Sequence, residues 1–224
     1  MAGLTLVIGN KNYSSWSMRP WVLLRELDIA FDEVKLRFDS AEWDSGIARW
    51  SPSGLVPVLW KAELAVWDTL AIMESVNEWF ADKEVWPQDP LARAFARSAS
   101  AEMHSGFRDL RARMPMNIRA RHPGKGMTPE VRADIDRIEA LWTTARERFG
   151  PGGDFLFGRF GAADAMFAPV VMRLETYGVR LGPVAQRYCE AMKAARGVRE
   201  WIDGALAETE VVAEDELYAE PAKR

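Results

Sequence analysis

The first part of the chain alternates between short apolar runs and one segment with helical spacing. Residues 4–9 form a short apolar run that ends in Gly-Asn, which predicts a buried strand followed by a loop. Apolar side chains recur at helical spacing over residues 18–27, with Ser17 available as the N-cap and Pro20 tolerated in the first turn. Residues 31–38 alternate as a second strand does. A helix between two strands favours a parallel pair joined by a right-handed crossover.

The next segment carries loop residues and then two further short strands. Residues 39–54 contain Asp, Ser, Pro and Gly and predict a loop. Two apolar runs follow at residues 56–60 and 64–66, with the spacing of a β-hairpin. Helical spacing returns at Thr69. Residues 1–82 therefore predict an α/β domain with the order β-α-β-β-β-α.

A boundary follows, because residues 82–90 combine two prolines with a local cluster of charge. Every later signal is helical, so residues 90–224 predict an all-α bundle. Its helices are expected over residues 91–113, 129–149, 162–177, 184–195 and 198–206. The acidic tail after Thr209 is expected to lie over the surface or to fray.

Composition removes several classes of function. The 224 residues carry 29 basic and 33 acidic side chains, so no overall positive charge favours nucleic acid as a partner. A lone Cys189 forms no intramolecular disulfide or CxxC pair, and His104 and His122 lie too far apart for a local metal motif. The sequence begins without a basic region and contains no long uncharged apolar run. We expect a cytoplasmic protein with no metal and no membrane association.

The serine-rich segment 12–17 lies between the first strand and the first helix. A helix N-terminus presents free N–H groups and a partial positive charge, so it stabilises an anion. A serine hydroxyl in this turn adds a hydrogen-bond donor for a bound thiolate. The structural alternative is a serine-rich cap and loop, since serine favours N-caps.

Two further segments carry candidate binding groups. Pro57 opens an apolar strand, and a cis bond before it leaves the N–H and C=O of Val56 free for a ligand, although an ordinary trans proline is the alternative. Asp68 and Thr69 start a helix, where a hydroxyl and free N–H groups bind a carboxylate and the aspartate binds an ammonium group. Together they suit both charges of an α-amino acid end. The alternative is an N-cap with an acidic neighbour.

A fourth segment favours a structural role. Asp164 follows Gly161 by three residues, where a capping-box carboxylate bonds back to the N-cap amide. We expect a folding and docking element here, with no chemistry.

The order and spacing of these segments resemble the cytosolic glutathione transferases. The resemblance extends from residue 4 to about residue 206, and it includes a Trp-Pro-x-Asp-Pro linker at residues 86–90. The run Ser-Ser-Trp-Ser-Met-Arg at residues 14–19 looks like the Ser-Ser-Cys-x-x-Arg motif of the serine-type, zeta-like class, which includes maleylacetoacetate isomerases. The resemblance implies a thioredoxin-like, glutathione-binding first domain. The helical second domain would then contribute the electrophile site.

The family pattern also implies roles for individual residues. Ser14 matches the serine whose hydroxyl faces the glutathione sulfur, and Ser15 is a possible second donor. Val56 matches the residue whose backbone pairs with the cysteinyl part of glutathione, and Pro57 matches the cis proline of the family. The pair at residues 68–69 matches the two residues that hold the γ-glutamyl end. Helical spacing gives these candidates for the electrophile site, with Trp16 as a further wall: Met103, His104, Phe107, Arg111 and Met114.

The predicted function is conjugation of glutathione to small hydrophobic electrophiles. A hydroxyl and a helix end would stabilise the thiolate, so no general base is required. Trp16 stands where zeta-like proteins have cysteine, which weakens an assignment as maleylacetoacetate isomerase. The alternatives are a glutathione-dependent isomerase or dehalogenase, and a non-catalytic binding or regulatory protein. The resemblance also implies a homodimer.

Overall fold

The computed structural model describes residues 3–219. Its N-terminal half is a thioredoxin-like β/α domain with a mixed sheet of four strands in the order β2-β1-β3-β4. β1 and β2 are parallel, whereas β3 is antiparallel to both β1 and β4. The elements of this half are β1 (Leu4–Ile8), α1 (Ser15–Glu26), β2 (Phe31–Lys35), α2 (Ala41–Trp50), β3 (Val58–Lys61), β4 (Leu64–Trp67) and α3 (Thr69–Trp79).

The C-terminal half is helical throughout its regular elements. These are α4 (Pro90–Ser105), α5 (Arg108–Arg113), α6 (Pro129–Phe149), α7 (Ala162–Thr176), α8 (Pro183–Ala194) and α9 (Arg196–Ala207), with a short 3-10 turn at Ala213–Asp215. Helix α7 is buried along most of its length and packs against α1 and α4, while α9 packs against α1. The two halves therefore share one continuous hydrophobic core. None of the helices within residues 3–219 is both long and apolar enough to cross a lipid bilayer.

The predicted fold class is confirmed, but the loop predicted over residues 39–54 is wrong. Helix α2 occupies most of it, with the Ser40 side chain accepting the N–H of Trp43 at 3.2 Å as its N-cap. No residue of α2 is fully buried. Its apolar side chains, Trp43 and Ile47 among them, pack as partly buried groups against the outer face of the sheet. Asp, Ser and Gly were signals of a cap and an exposed helix face here, not of a loop.

Two predicted helix boundaries also change. Helix α1 begins at Ser15 with Ser14 as its N-cap, so Ser17 lies inside the helix and not at its start. The helix predicted over residues 91–113 divides into α4 and α5 at Gly106 and Phe107, and Phe107 adopts a left-handed backbone conformation with φ of 56°.

The acidic tail follows a more defined course than the sequence predicted. Glu208 and Val212 are buried, and the segment 208–218 bonds to residues near the start of α1 and to the connection between α5 and α6. The carboxylate groups that suggested a solvated tail are hydrogen-bond acceptors for those elements.

Candidate functional site

The sheet register brings three separate segments to one edge of the sheet. Val7 of β1 pairs with Val58 at the start of β3, and Val58 also pairs with the last residue of β4. At this edge the chain leaves β1 toward Ser14, enters β3 from Val56 and leaves β4 into Asp68. The segments that the sequence singled out therefore converge in space.

Ser14 caps α1 and is only 6% exposed. Its hydroxyl donates to Ser17 Oγ at 2.7 Å and accepts the N–H of Ser17 at 3.4 Å. Ser17 Oγ also accepts the N–H of Gly9 at 3.1 Å. A hydroxyl has one proton, so Ser14 donates to a bound anion only when its bond to Ser17 opens.

Ser15 is the first residue of α1 and contacts a buried cation. Its Oγ accepts a hydrogen bond from Arg173 Nη2 at 3.3 Å, and no described bond uses the Ser15 hydroxyl proton. Arg173 lies on α7 and also donates to the carbonyl oxygens of Arg111 and Met114. Burial, followed by the charge of Arg111, lowers the pKa of Arg173 to about 10. The guanidinium therefore stays charged at neutral pH beside the first turn of α1.

Two further guanidinium groups pack against the indole ring of Trp16. Arg19 Cζ is 4.0 Å from the centroid of the indole ring, and Arg111 Cζ is 4.7 Å from it. The edge of the ring also meets His104, with 5.1 Å between the ring centroids. Trp16 is partly exposed and forms an aromatic wall that carries positive charge on its faces.

Arg19, Arg111 and Arg173 form a cationic cluster, with Asp68 and Asp215 near enough to act on Arg19 and Arg173 but not in direct ion pairs with them. Burial lowers the pKa of Arg19 well below its ordinary value, and the other two guanidinium groups lower it further. Burial also lowers the pKa of Arg111. Within residues 3–219 none of the three forms an ion pair with a carboxylate. Arg19 Nη1 and Arg111 Nε are buried and have no hydrogen-bond partner in that part of the chain. The cluster adds to the positive end of α1 and favours an anion there.

The residues before β3 leave backbone groups free. The peptide bond between Val56 and Pro57 is cis. Over the described part of the chain, neither the N–H nor the C=O of Val56 takes part in a hydrogen bond. These are the groups that an extended peptide ligand uses when it pairs with a strand.

Asp68 caps α3 and also reaches the helical half. Its Oδ1 accepts the N–H of Leu70 at 2.9 Å, and its Oδ2 lies 2.7 Å from His104 Nε2. Thr69 is 1% exposed, and its hydroxyl oxygen is buried without a hydrogen-bond partner among residues 3–219. The pair thus combines an exposed carboxylate with an unsatisfied hydroxyl at a helix N-terminus.

The candidates for the electrophile site fall into two groups. Met103, Phe107 and Met114 are buried in the hydrophobic core, where their contacts are with other apolar side chains. His104 and Arg111 remain partly exposed beside Trp16, and Arg111 Nη2 donates to the carbonyl oxygens at the end of α4. Contact with a second substrate stays a prediction for every member of the set.

The start of α7 is built differently. Asp164 is fully buried, and its two oxygens accept the N–H groups of Leu156 and Gly161, each at 3.0 Å. Burial raises the pKa of Asp164 to about 6. A Cβ at Gly161 would lie 2.9 Å from the carbonyl oxygen of Val85, so glycine permits this close approach. The bond from the Gly161 N–H to the Asp164 carboxylate is the capping-box bond that the sequence predicted, and it fixes the start of α7.

The metal-ligating and thiol side chains of residues 3–219 are dispersed or buried. That part of the chain contains no group of three or more His, Cys, Asp or Glu side chains placed to hold a metal ion. Burial raises the pKa of Cys189 to about 12, so its thiol stays protonated and a poor nucleophile at neutral pH.

Sequence reasoning missed Arg173 and the acidic residue Glu208. Arg173 lies within a helix whose other residues are almost all buried, and an isolated arginine in such an apolar run was the available signal. Glu208 gave no local signal, because its bonds to Lys11 and Asn12, in the turn before α1, span nearly the whole chain.

Comparison with known protein families places this site in context. A sequence model described as the N-terminal domain of glutathione S-transferase matches residues 13–79, and one described as the C-terminal domain of glutathione S-transferase matches residues 128–204. A probable maleylacetoacetate isomerase from Caenorhabditis elegans is 24% identical over 173 residues, which are 75% of this chain and 78% of that protein. Glutathione S-transferase GstB from Escherichia coli K12 is 20% identical over 181 residues, which are 80% of this chain and 87% of GstB.

Solved structures show the same fold. A glutathione transferase homologue from Burkholderia gl BGR1 with bound glutathione has a TM-score of 0.68 at 22% identity, covering 91% of this chain and 98% of its own. A diazinon-metabolizing glutathione S-transferase from the silkworm Bombyx mori has a TM-score of 0.71 at 16% identity, covering 91% of this chain and 97% of its own.

Proposed function

This chain belongs to the cytosolic glutathione S-transferase family. We propose that it binds glutathione, stabilises the glutathione thiolate and transfers it to a small electrophile. The observation that carries the proposal is the start of α1. Two serine hydroxyls, a helix N-terminus with no acidic residue in its first turn and a cationic cluster converge there, and among residues 3–219 no carboxylate forms an ion pair with the cluster. The convergence of Val56 and Asp68 at the same edge supports the proposal.

The residues at the start of α1 suit a thiolate for physical reasons. When bound, glutathione supplies the thiol that becomes the nucleophile, and a free thiol has a pKa of about 8.5. Lowering that pKa by about two units needs roughly 2.7 kcal/mol of preferential stabilisation of the anion. A hydrogen bond to a charged group contributes about 1.5–3 kcal/mol, and the helix end adds about 0.3–1 kcal/mol. Ser14 and the helix end therefore suffice, with Ser15 as a second possible donor.

The other two segments fit the peptide part of glutathione. The free N–H and C=O of Val56 suit an amide of an extended ligand. The Asp68 carboxylate suits an ammonium group, and the Thr69 hydroxyl with the first N–H groups of α3 suits a carboxylate. The Thr69 hydroxyl, which is buried and has no hydrogen-bond partner among residues 3–219, is the detail of the structure that this assignment explains.

A pair of serine variants tests the proposal. We expect Ser14→Ala to lower kcat for glutathione conjugation by about tenfold to a hundredfold, because it removes a hydrogen bond to a charged group. The calorimetric Kd for glutathione should change by less than about threefold, since uniform binding is made elsewhere. Ser15→Ala is the matched control from the same turn. Unchanged kcat in Ser14→Ala with a large loss in Ser15→Ala would assign the thiol donor to Ser15. Unchanged kcat in both variants would contradict the mechanism.

The cationic cluster favours a second candidate, an electrophile that carries a carboxylate. The wall beside the thiol position is Trp16 with Arg19 and Arg111 on its faces, and this surface is not the purely apolar one expected for hydrophobic electrophiles. Acid-bearing substrates also suit isomerisation or dehalogenation by the same sulfur, and one relative is a probable maleylacetoacetate isomerase.

Parallel assays of an acidic electrophile and its neutral ester test this candidate. Arg111→Met should lower kcat/KM for the acid by about tenfold and leave the ester within about twofold, because a charge-assisted contact is worth about 1.5–3 kcal/mol. Arg108→Met, exposed at the start of the same helix, is the control. Equal losses of kcat/KM for the acid and the ester would contradict this candidate and favour hydrophobic electrophiles.

A homodimer also belongs to this proposal. The support is the family pattern together with large exposed apolar side chains, among them Leu55 and Leu91. Sedimentation of the purified protein over a range of concentrations tests it, and a monomer at micromolar concentration would contradict it.

A further inference from the structure

The turn that carries Ser14 is held by the C-terminal end of the chain. Residues 10–13 join β1 to Ser14, the N-cap of α1, and we call them the serine turn because they carry Ser14 at their end. Within it, Asn10 O accepts the N–H of Tyr13 at 3.2 Å and the N–H of Ser14 at 2.8 Å. The position of Ser14 therefore depends on the conformation of the serine turn.

Glu208 bonds directly to the backbone of the serine turn. Its Oε1 accepts the N–H of Lys11 at 2.8 Å, and its Oε2 accepts the N–H of Asn12 at 3.0 Å. The Glu208 side chain is only 4% exposed, and Lys35 Nζ lies 3.1 Å from Oε1. Because Lys35 balances the charge, the carboxylate holds the turn without adding a net negative charge near the start of α1.

The location of Glu208 is electrostatically unfavourable for its own helix. It is the C-cap residue of α9, where the partial negative charge of the helix end disfavours a carboxylate. Burial of a carboxylate adds a further desolvation cost. A neutral side chain would suit α9 better, so the benefit of the carboxylate lies in its bonds to the serine turn.

The opposite side of the serine turn is fixed as well. Asn12 Nδ2 donates to Asn117 Oδ1 at 2.8 Å, and Asn12 Oδ1 accepts the N–H of Arg119 at 2.9 Å. Arg119 also donates to the carbonyl oxygens of Glu208 and Glu210. The serine turn is thus clamped between the C-terminal segment and the connection from α5 to α6.

We propose that Glu208 is a positioning residue that sets the placement of Ser14 for stabilising the glutathione thiolate. It has no described contact with the binding residues and acts only through the serine turn. Two consecutive N–H groups bonded to one carboxylate fix two of the four residues that precede Ser14. The inference rests on the proposed function and deepens it.

Three variants measured in the full-length chain test the inference. Glu208→Gln keeps the size of the side chain but offers one acceptor oxygen, so one N–H of the serine turn loses its partner. Glu208→Asp keeps the charge on a shorter side chain. Glu210→Gln is the matched control, because among residues 3–219 the Glu210 carboxylate accepts the N–H of Thr209 at 3.1 Å and lies 3.8 and 3.9 Å from Lys35 and Arg37, with no bond to the serine turn. The readouts are kcat, KM for glutathione, and the pKa of the bound glutathione thiol from ultraviolet absorbance.

We expect Glu208→Gln to raise the pKa of the bound thiol by about one unit and to lower kcat below that pKa by about tenfold, a loss equivalent to about 1.4 kcal/mol. KM for glutathione should stay within about twofold, since uniform binding is retained. Glu208→Asp should fall between Glu208→Gln and the wild type, and Glu210→Gln should match the wild type. A loss confined to thermal stability moves neither the thiol pKa nor the ratio of kcat to KM.

An unchanged thiol pKa in a folded Glu208→Gln protein would overturn the inference. If Glu208→Gln does not fold, Glu208→Asp decides by the same criterion. A wild-type protein that binds no glutathione, or binds it as the thiol, would overturn the proposed function itself. Equal effects in the Glu208 and Glu210 variants would also overturn the inference, because they would reflect charge alone.

Discussion

Two buried helix starts in this protein have opposite electrostatics. Helix α7 carries its own anion, because the Asp164 carboxylate accepts two N–H groups inside the core. Helix α1 carries none in its first turn and is capped by the Ser14 hydroxyl. Guanidinium groups surround its start, where α7 has a carboxylate. The same helix end that stabilises the fold in α7 is left available for an external anion in α1.

This difference separates stability from function within one architecture. A helix start satisfied by the chain itself fixes the packing of α7, which contacts both α1 and α4. A helix start without an internal anion lowers the stability of the free protein. Binding of an external anion at that helix start restores the stability. The comparison predicts that moving an anion between the two helix starts exchanges their properties.

The largest effect should follow from removing the anion of α7. We expect Asp164→Ala to lower the free energy of unfolding by about 2–5 kcal/mol, because two buried N–H groups each lose an acceptor at about 1–3 kcal/mol. Chemical denaturation measures this change. The folded fraction should keep its affinity for glutathione, and a loss of affinity in folded protein would contradict the division between the two helix starts.

The pH dependence of stability sharpens the same point. The pKa of Asp164 is about 6 in the folded protein, above its ordinary value of 3.8, so the folded state binds this proton more tightly. Its contribution is complete below about pH 4 and is lost as the pH rises through 6. The difference between these two pKa values corresponds to about 3 kcal/mol of stability, at about 1.36 kcal/mol per pKa unit.

The difference in unfolding free energy between wild type and Asp164→Asn isolates this group. It should fall by up to about 3 kcal/mol between pH 4 and pH 7. Burial also raises the pKa of Asp215 to about 6, but Asp215 is present in both proteins and cancels. A difference that stays constant with pH would mean that Asp164 is ionised throughout this range.

Giving α1 an anion of its own is the reverse experiment. Ser14→Asp should stabilise the free protein by about 0.3–1 kcal/mol through the helix dipole. It should also abolish thiolate binding, so that bound glutathione titrates near the free value of about 8.5. Ser14→Asn is the uncharged control of the same shape. Thiolate binding that survives in Ser14→Asp would show that the start of α1 is not the anion site.

The smallest effect concerns α3, an intermediate case whose cap residue Asp68 is exposed and shared with His104. An exposed pair of this kind is worth about 0.2–1 kcal/mol. His104→Ala frees Asp68 for an ammonium group, so the Kd for glutathione should fall by no more than about fivefold. Glu102→Ala, from the same helix, is the calorimetric control. A weaker affinity in His104→Ala would mean that His104 itself helps to bind glutathione.

The sequence predicted those parts of the molecule that depend on neighbours a few positions apart. Pro129 begins α6 as expected, and Gly161 with Asp164 begins α7. The short apolar runs became the strands of the sheet, and parallel and antiparallel pairing followed from the elements between them. That alone places Ser14 and Val56 at one edge of the sheet.

The parts that were missed depend on distant contacts. Glu208 lies 197 positions from Lys11, and no local pattern records that its carboxylate binds the serine turn. Arg19 appeared as one residue of a motif, whereas its burial against Trp16 and Met166 follows only from the docking of α7 on α1. Helix α2 was missed because it is amphipathic and exposed, with cap residues that also occur in loops.

The pKa of glutathione bound to the wild-type chain and to Ser14→Ala tests the central claim most directly. Ultraviolet absorbance of the thiolate, followed against pH, gives this value for the complex. We predict a pKa about two units below the free value of about 8.5 in the wild type, and a value at least about one unit higher in Ser14→Ala. A bound thiol that titrates like free glutathione in the wild type, or identically in both proteins, would contradict the account.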